Sequence, residues 1–377
     1  MKFEQLLTLF QETHLELQKR AARSVDIALV IRNWLFGWYI VEFEQGGADR
    51  AELYGKRLIE RIADELTARL GRGFSKRSLE QYRRFYDCYR EIAQAVPAQS
   101  LESWQEIRKA LSDESTGSVS AAVITLQTLS TELASRFTLG WTHYVALLTV
   151  SNPDERRFYE IEARENSWGA RELERQIASS LFERLALSRD KAGIKALSQN
   201  GLVIEKASDV VKNPYVLEFL DLEEKSAYSE YEVETAIINR LEHFLLELGK
   251  GFLFEARQKR FTFDNDHFYV DLVFYNRLLR CYVLIDLKRD KLTHQDLGQM
   301  QMYVNYFDRH VKTEDELPTI GIVLCHRKHD ALVELTLPKD SNIFASKYQL
   351  YLPSKEELKK QLEEAAGIEH KDDVNQK

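Results

Sequence analysis

The run Tyr282-Val283-Leu284-Ile285 leads directly into Asp286-Leu287-Lys288, so an apolar stretch ends in two side chains of opposite charge. Strand side chains alternate faces, which puts Asp286 and Lys288 on one face, roughly 6–7 Å apart. Upstream, Tyr269-Val270-Asp271-Leu272-Val273-Phe274-Tyr275 sets another carboxylate inside an apolar run. A tight turn near Asn276–Leu279 makes these runs an antiparallel hairpin, with Asp271 across from Asp286 to within about one residue of register. Two carboxylates and an ammonium then converge on a hydrophobic sheet. A carboxylate leaving water must be paired or bind a metal, and two together repel. A hard divalent cation, Mg²⁺ or Mn²⁺, removes the conflict because it prefers carboxylate oxygens and keeps several waters. Such an ion polarises a phosphate and activates a bound water. Lys288 would orient or deprotonate that water, or stabilise charge on the phosphorane. The chemistry predicted is phosphodiester hydrolysis by metal-activated water at Asp271, Asp286 and Lys288.

Neighbouring elements supply the other candidates. Glu234 lies beside the apolar Val233 and Ile237 of a helix predicted over Tyr228–Leu248, and would reach the metal directly or through water. Gln299 and Tyr303 are four residues apart on a predicted helix, His294–Asp308, and therefore share a face. Arg257 and Gln258, in the run Phe252–Phe263, are candidate nucleic-acid contacts. Taken singly, each has an ordinary explanation: a chance D-x-K, a solvated helix glutamate, an interhelical hydrogen bond. The joint order of helix Glu, strand Asp, hairpin, D-x-K and Q-x-x-x-Y is far rarer.

The elements that must hold these residues follow from texture. Phe252–Phe263, Phe268–Tyr275 and Cys281–Leu287 are rich in aromatic and β-branched residues and read as strands, as do Thr319–Cys325 and Ile343–Tyr351. The first half, to about Asn200, has helical spacing, as in Phe3, Leu6, Leu7, Phe10 and Leu58, Ile62, Leu66, Leu70. The fold predicted is an all-helical N-terminal domain followed by a mixed β-sheet flanked by helices. The boundaries predicted are a helical domain over 1–200, a connector over 201–225, a catalytic domain over 226–353 and a charged, fraying helical tail over 354–377.

Composition narrows the alternatives. The chain has 377 residues, 52 Lys+Arg against 60 Asp+Glu, and 44% hydrophobic residues, which excludes disorder and collagen-like repeats. Its three cysteines, Cys88, Cys281 and Cys325, have no C-x-x-C spacing and suit free thiols in a reducing cytosol. The longest apolar stretch, Ile27 to Val41, is broken by Arg32 and Asn33 and is too short to span a bilayer. No membrane association is expected, and the location predicted is cytoplasmic. Neither a P-loop nor an H-E-x-x-H motif occurs.

The order Glu234, Asp271, Asp286-x-Lys288 resembles the PD-(D/E)xK nuclease superfamily, and Q-x-x-x-Y resembles its exonuclease-like branches. More closely, Phe244-Leu245-Leu246-Glu247-Leu248-Gly249-Lys250-Gly251-Phe252, Val270-Asp271-Leu272-Val273-Phe274-Tyr275-Asn276 and Gly321-Ile322-Val323-Leu324-Cys325 are similar to the YhcG-like family of that superfamily. The similarity extends to Tyr54-Gly55, Gly73-Phe74-Ser75 and the Trp141–Leu185 region, and so covers most of the chain. It implies a restriction-endonuclease-like core, a divalent metal and nucleic acid as substrate; the substrate expected is DNA rather than RNA. By motif, Glu234, Asp271 and Asp286 would be metal-site carboxylates, the backbone carbonyl of Leu287 a further ligand and Lys288 the catalytic lysine. Val270 stands where the motif has proline, and Asp286 where glutamate is usual.

The net charge of −8 argues against a polyanion partner, but it is not evenly spread. Arg50 to Arg90 holds eleven Lys+Arg against six Asp+Glu. Arg72, Lys76, Arg77, Arg83 and Arg84 alternate there with Phe74, Tyr82, Phe85 and Tyr86, and Ser75 can cap the second of two helices. The pattern resembles a helix-turn-helix with these cations as DNA contacts. The competing reading is a solvated helical hairpin whose aromatics are core. Two readings of the whole chain compete with a nuclease that processes DNA or serves in bacterial defence. One is a non-catalytic nucleic-acid-binding subunit of a restriction or defence assembly. The other is an oligomeric scaffold whose terminal helices pair between subunits.

Overall fold

The computed structural model describes residues 3–20, 25–45, 58–94 apart from 72, and 133–352 apart from 188, 190, 223–227, 329 and 339, together with Ser354 and Leu358. The expectations for Arg72, Tyr54-Gly55 and most of the 354–377 tail fall outside these residues. Two compact units are present, Met1–Leu173 and Glu174–Lys377. The divide lies before the boundary expected at 200.

Every regular element among the described residues of the first unit is a helix. The unit contains α1 (Phe3–Arg20), α2 (Val25–Gln45), α3 (Leu58–Leu70), α4 (Lys76–Cys88), the short α5 (Glu91–Gln94), α6 (Trp141–Leu147) and α7 (Pro153–Glu165). The apolar stretch that is too short for a membrane is the centre of α2. Trp34, Leu35, Phe36, Trp38, Tyr39 and Ile40 are all buried, so this helix is covered on every side. Gly37 permits its contact with α4, since a Cβ there would meet the Tyr82 carbonyl oxygen at 2.0 Å. The α4 helix is capped as expected, with the Ser75 hydroxyl accepting from the Ser78 N–H at 3.2 Å. Among the described residues, no helix is long and apolar enough to cross a membrane.

The second unit carries a six-stranded sheet in the order β1-β6-β5-β4-β3-β2. Its strands are β1 (Tyr215–Val216), β2 (Phe252–Phe263), β3 (Asp266–Asn276), β4 (Cys281–Lys291), β5 (Ile320–Arg327) and β6 (Ile343–Gln349). β2, β3 and β4 form an antiparallel meander, while β4, β5, β6 and β1 run parallel. The mixed sheet and the strand positions agree with the sequence pattern. After the first unit come α8 (Ala170–Ala178), which spans the divide, α9 (Leu181–Ala186) and α10 (Lys191–Asn200).

Helices cover both faces of the sheet. On one lie α11 (Glu230–Asn239) and α12 (Leu241–Leu248), whose Val233, Ile237, Phe244 and Leu248 pack against Leu272, Phe274, Val283, Ile285 and Leu287. On the other lies α13 (His294–His310), whose Leu297, Met300, Tyr303 and Phe307 pack against Val270, Val273, Leu284 and Val323. A short α14 (Asp330–Thr336) follows β5. The single helix expected over Tyr228–Leu248 is two, divided at Arg240, whose N–H bonds the carbonyls of Ala236 and Ile237. Neither Gly nor Pro marks that break.

Residues 174–200 join the sheet unit through one buried charge cluster. Arg184 Nη1 bonds Glu247 Oε1 at 2.5 Å and the Pro214 carbonyl at 3.1 Å. Arg175 bonds Glu218 at 2.6 Å and lies 3.4 Å from Glu247. Glu247 Oε1 also accepts the Val216 N–H of β1 at 3.0 Å. This cluster accounts for the early divide.

Candidate active site

The β3–β4 ladder runs from Asn276 opposite Cys281 to Leu272 opposite Ile285. One step further, the same register sets Asp271 opposite Asp286. No ladder pair forms there; instead, Asp271 Oδ2 accepts the Leu287 N–H at 2.8 Å. A carboxylate thus replaces a backbone carbonyl as partner and is fixed against the other strand. Asp286 is only 2% exposed. Lys288 Nζ lies 2.8 Å from Asp286 Oδ2, close enough for an ion pair. The approach is not aligned for a hydrogen bond, so that buried oxygen has no hydrogen-bond partner.

The electrostatics follow from this placement. Burial, then the charge of Asp271, push the Asp286 carboxyl well above the ordinary carboxylate range, while Lys288 opposes them. Burial also raises Asp271, against the Leu287 N–H and the Gln258 amide. Burial works against a charged Lys288, but Asp286, Glu230 and Asp271 outweigh it and raise its pKa.

A second layer surrounds the pair. The Gln258 amide nitrogen donates to Glu234 Oε2 at 2.7 Å and to Asp271 Oδ1 at 2.9 Å. Two hydrogens on one nitrogen therefore tie two carboxylates together. Gln258 reaches both from a backbone φ of +47°, in the left-handed region, which costs a non-glycine residue roughly 1–2 kcal/mol. Glu234, on α11, is buried and also accepts from Arg257 Nε, while Arg257 Nη2 bonds Thr235 Oγ1 at 2.9 Å. From α13, the Gln299 amide donates to the Tyr303 hydroxyl. Burial raises the Tyr303 pKa, as do Asp286 and Asp271, and Gln299 opposes them.

Residues 208–363 match the family described as the YhcG PDDEXK nuclease domain. Residues 11–119 and 119–184 match the family described as the DUF1016 N-terminal domain. The chain is 39% identical over 353 residues to the Escherichia coli (strain K12) protein named "Putative nuclease YhcG", covering 90% of this chain and 88% of that one. The chain belongs to the YhcG family. A crystal structure of a repair endonuclease from Pyrococcus abyssi shares 22% identity over 33% of this chain and 49% of that one, with a TM-score of 0.24. At that score the likeness carries no argument.

For a YhcG-family chain, the metal question turns on Asp271 and Asp286. Among the described residues, no group of three or more His, Cys, Asp or Glu side chains is arranged to hold a metal ion. The expected set is Glu234, Asp271 and Asp286. Glu234 is engaged by Arg257 and Gln258 and does not join the pair. The remaining two carboxylates fit a hard divalent ion, because buried Asp286 Oδ2 lacks an aligned hydrogen-bond donor and the single ammonium of Lys288 does not offset two buried carboxylates. Arg257 and Gln258, expected at nucleic acid, hold carboxylates instead.

The sequence pattern passed over Glu230. It lies one turn before Glu234, accepts the Arg289 N–H at 3.2 Å, and its charge raises both Lys288 and Asp286. Its signal was the i,i+4 spacing on a helix begun by Ser229.

The basic segment is only partly available to a polyanion. Lys76 pairs with Glu60 at 2.7 Å and Arg83 with Glu44 at 3.0 Å. Leu79, Tyr82, Phe85 and Tyr86 are the buried face of α4, so the interleaved aromatics are core. Arg77 and Arg84 are exposed and form no ion pair among the described residues.

Proposed function

We propose that this chain is a divalent-metal-dependent nuclease that hydrolyses phosphodiester bonds of nucleic acid, DNA in preference to RNA. The observation that carries the proposal is a buried carboxylate oxygen without a hydrogen-bond partner, on Asp286, beside Lys288 and opposite Asp271. Asp271 and Asp286 would hold Mg²⁺ or Mn²⁺, which supplies positive charge to polarise the scissile phosphate. An ammonium 2.8 Å from a carboxylate keeps its proton, so Lys288 orients the attacking water and stabilises charge developing on the phosphate oxygens. The Leu287 N–H and the Gln258 amide aim Asp271, and Gln258 with Arg257 keeps Glu234 in place behind it. Gln299 and Tyr303 border the site from α13. The segment over 226–353 is the catalytic domain, reached through a connector over 201–225, and the helical segment over 1–200 is a DNA-binding or interaction module.

Incubation with single-stranded, duplex and branched DNA and RNA tests the reading. Divalent-metal-dependent cleavage is expected, with DNA preferred. Absence of cleavage in every arm, with metal supplied, sinks it.

Metal binding has its own readout. Mg²⁺ or Mn²⁺ at about a hundred times its dissociation constant should stabilise the protein by roughly 2.7 kcal/mol. Thermal unfolding should therefore shift upward for the parent and not for Asp286→Asn. Equal shifts in the two proteins would place the ion elsewhere.

Arg77 and Arg84 carry the duplex-contact part of the proposal. Replacing both by alanine should weaken duplex binding without altering its sequence preference, and reduce the salt slope by about two. Fluorescence anisotropy across a salt titration measures both. An unchanged slope would return α4 to a purely structural role.

A further inference from the structure

A cleft of about 350 Å³ lies between the distal half of β2 and α13. Its walls differ in kind from the carboxylate site. β2 contributes Phe261 and Phe263, and α13 contributes Gln301, Asn305, Tyr306 and Arg309. Phe261 stacks on Tyr306 with centroids 4.1 Å apart and planes at 20°. Phe261 also meets Tyr303 edge-on at 5.6 Å. The aromatic wall is therefore continuous with the Gln299–Tyr303 border of the candidate active site.

We infer that this cleft takes an unpaired base of the nucleic-acid strand whose phosphate lies at Asp271, Asp286 and Lys288. The inference rests on the nuclease reading and specifies the form of its substrate. Three observations point to a base. Phe263 is 63% exposed, a large aromatic face turned to solvent beside an existing aromatic stack. Base-on-aromatic stacking covers such faces and contributes about 1–3 kcal/mol per base. Gln301 and Asn305 bring amide donors and acceptors, which match base edges, and bond each other only at 3.4 Å. Exposed Arg309 adds a cation for a neighbouring phosphate.

Gly298 adds an independent argument. A glycine inside a helix costs about 1 kcal/mol relative to alanine. Such a glycine usually admits close packing, as Gly37 of α2 does against α4, where a Cβ would meet the Tyr82 carbonyl oxygen at 2.0 Å. At Gly298 a Cβ would meet nothing within 4 Å. Packing within the chain therefore does not require the glycine, and its place at the lip leaves the mouth of the cleft without a side chain.

Position sets the distance. Phe261 and Phe263 are three and five residues beyond Gln258 along β2, or roughly 10–17 Å at strand rise. A base seated there belongs to a nucleotide a few steps from the cleaved phosphate. A duplex keeps its bases stacked and would not present one to Phe263 or Tyr306.

The test compares Phe263→Ala and Gly298→Leu in the full chain, with Lys288→Ala present to prevent turnover. Neither position contributes to the carboxylate site, and leucine is a good helix former. Anisotropy is read with labelled oligothymidylate of about 20 nucleotides and with a duplex of equal length. Each variant should bind the single strand about tenfold more weakly, with duplex affinity changed less than about twofold. A 2-aminopurine reporter in the strand should lose fluorescence on binding and regain it in Phe263→Ala. Single-strand affinity equal to the parent's in both variants overturns the inference, even while the parent still cleaves. Equal losses for single strand and duplex also overturn it. If the cleft instead seats a second copy of the chain, Gly298→Leu will dissociate an oligomer and leave strand binding intact. If the unsubstituted chain, with Lys288 intact, neither binds nor cleaves nucleic acid, the nuclease reading itself fails and the inference falls with it.

Discussion

Lys288→Ala should lower phosphodiester cleavage by roughly a thousandfold, within the 10²–10⁴ range for a positioned proton-transfer or charge-stabilising group. The side chain is the cation at the site, 2.8 Å from Asp286 Oδ2. Its loss removes the group that meets charge developing on the phosphate. The fold should survive, because Asp286 already has a strong tendency to hold a proton through burial and the field of Asp271. Without the ammonium it would protonate more readily still. Single-turnover cleavage under saturating Mn²⁺, with circular dichroism as the folding control, measures the effect. Lys288→Arg keeps the charge but changes the donor geometry and should recover only part of the rate. A rate within threefold of the parent in Lys288→Ala would remove this lysine from the chemistry.

The second large effect concerns stability. Glu247 is fully buried beside Arg184, with Arg175 and Lys212 close by, and its Oε1 also accepts the Val216 N–H. Burial pushes its carboxyl upward, but Arg184, Lys212 and Arg175 outweigh burial and hold it down to about 2. Glu247→Ala leaves those cations buried without their carboxylate. Breaking a buried pair from one side costs about 3–5 kcal/mol. For a unit of this size, that lowers the melting temperature by roughly 6–20 °C. Glu247→Gln retains hydrogen-bonding capacity and should cost less. The pH dependence has a definite sign. A depressed carboxyl contributes stability above its unfolded value, and that stability is lost as pH falls towards about 2. Between pH 5 and pH 2 the parent should therefore lose stability more steeply than Glu247→Ala. Calorimetric scans over that interval measure the difference, and parallel curves would contradict it.

The carboxylate pair was legible in the sequence because it depends on strand alternation and a short hairpin. Both are local, and the β3–β4 ladder ends at Leu272 opposite Ile285, one step before the two carboxylates. The partners of that pair were not legible. Pairing of β2 with β3 shifts at Glu255, and Gln258 then takes a positive φ, so alternation no longer predicts where Arg257 and Gln258 point. Both turn to Glu234, more than twenty residues away. Ion pairs within the basic segment were hidden for a similar reason. Charge counting registered Lys76 and Arg83 as free cations, but Glu60 and Glu44 lie beside them once α2, α3 and α4 pack. No local pattern marks Glu247 as a buried charge, because its strongest partner, Arg184, is 63 residues away.

The bond from the Leu287 N–H to Asp271 has a consequence for the sheet as a whole. Leu287 belongs to β4, and its backbone pairs with Leu324 on β5 at the middle of the sheet. Its amide proton is shared with a side chain whose charge changes whenever a proton or a cation arrives. Such a change alters the polarisation of the Leu287 peptide unit, and through it the hydrogen bonds along the parallel half of the sheet. The backbone of β4 thus lies between the carboxylates and the hydrogen bonds of the parallel half of the sheet. Ionisation at the surface of the sheet is registered as bond strength at its centre.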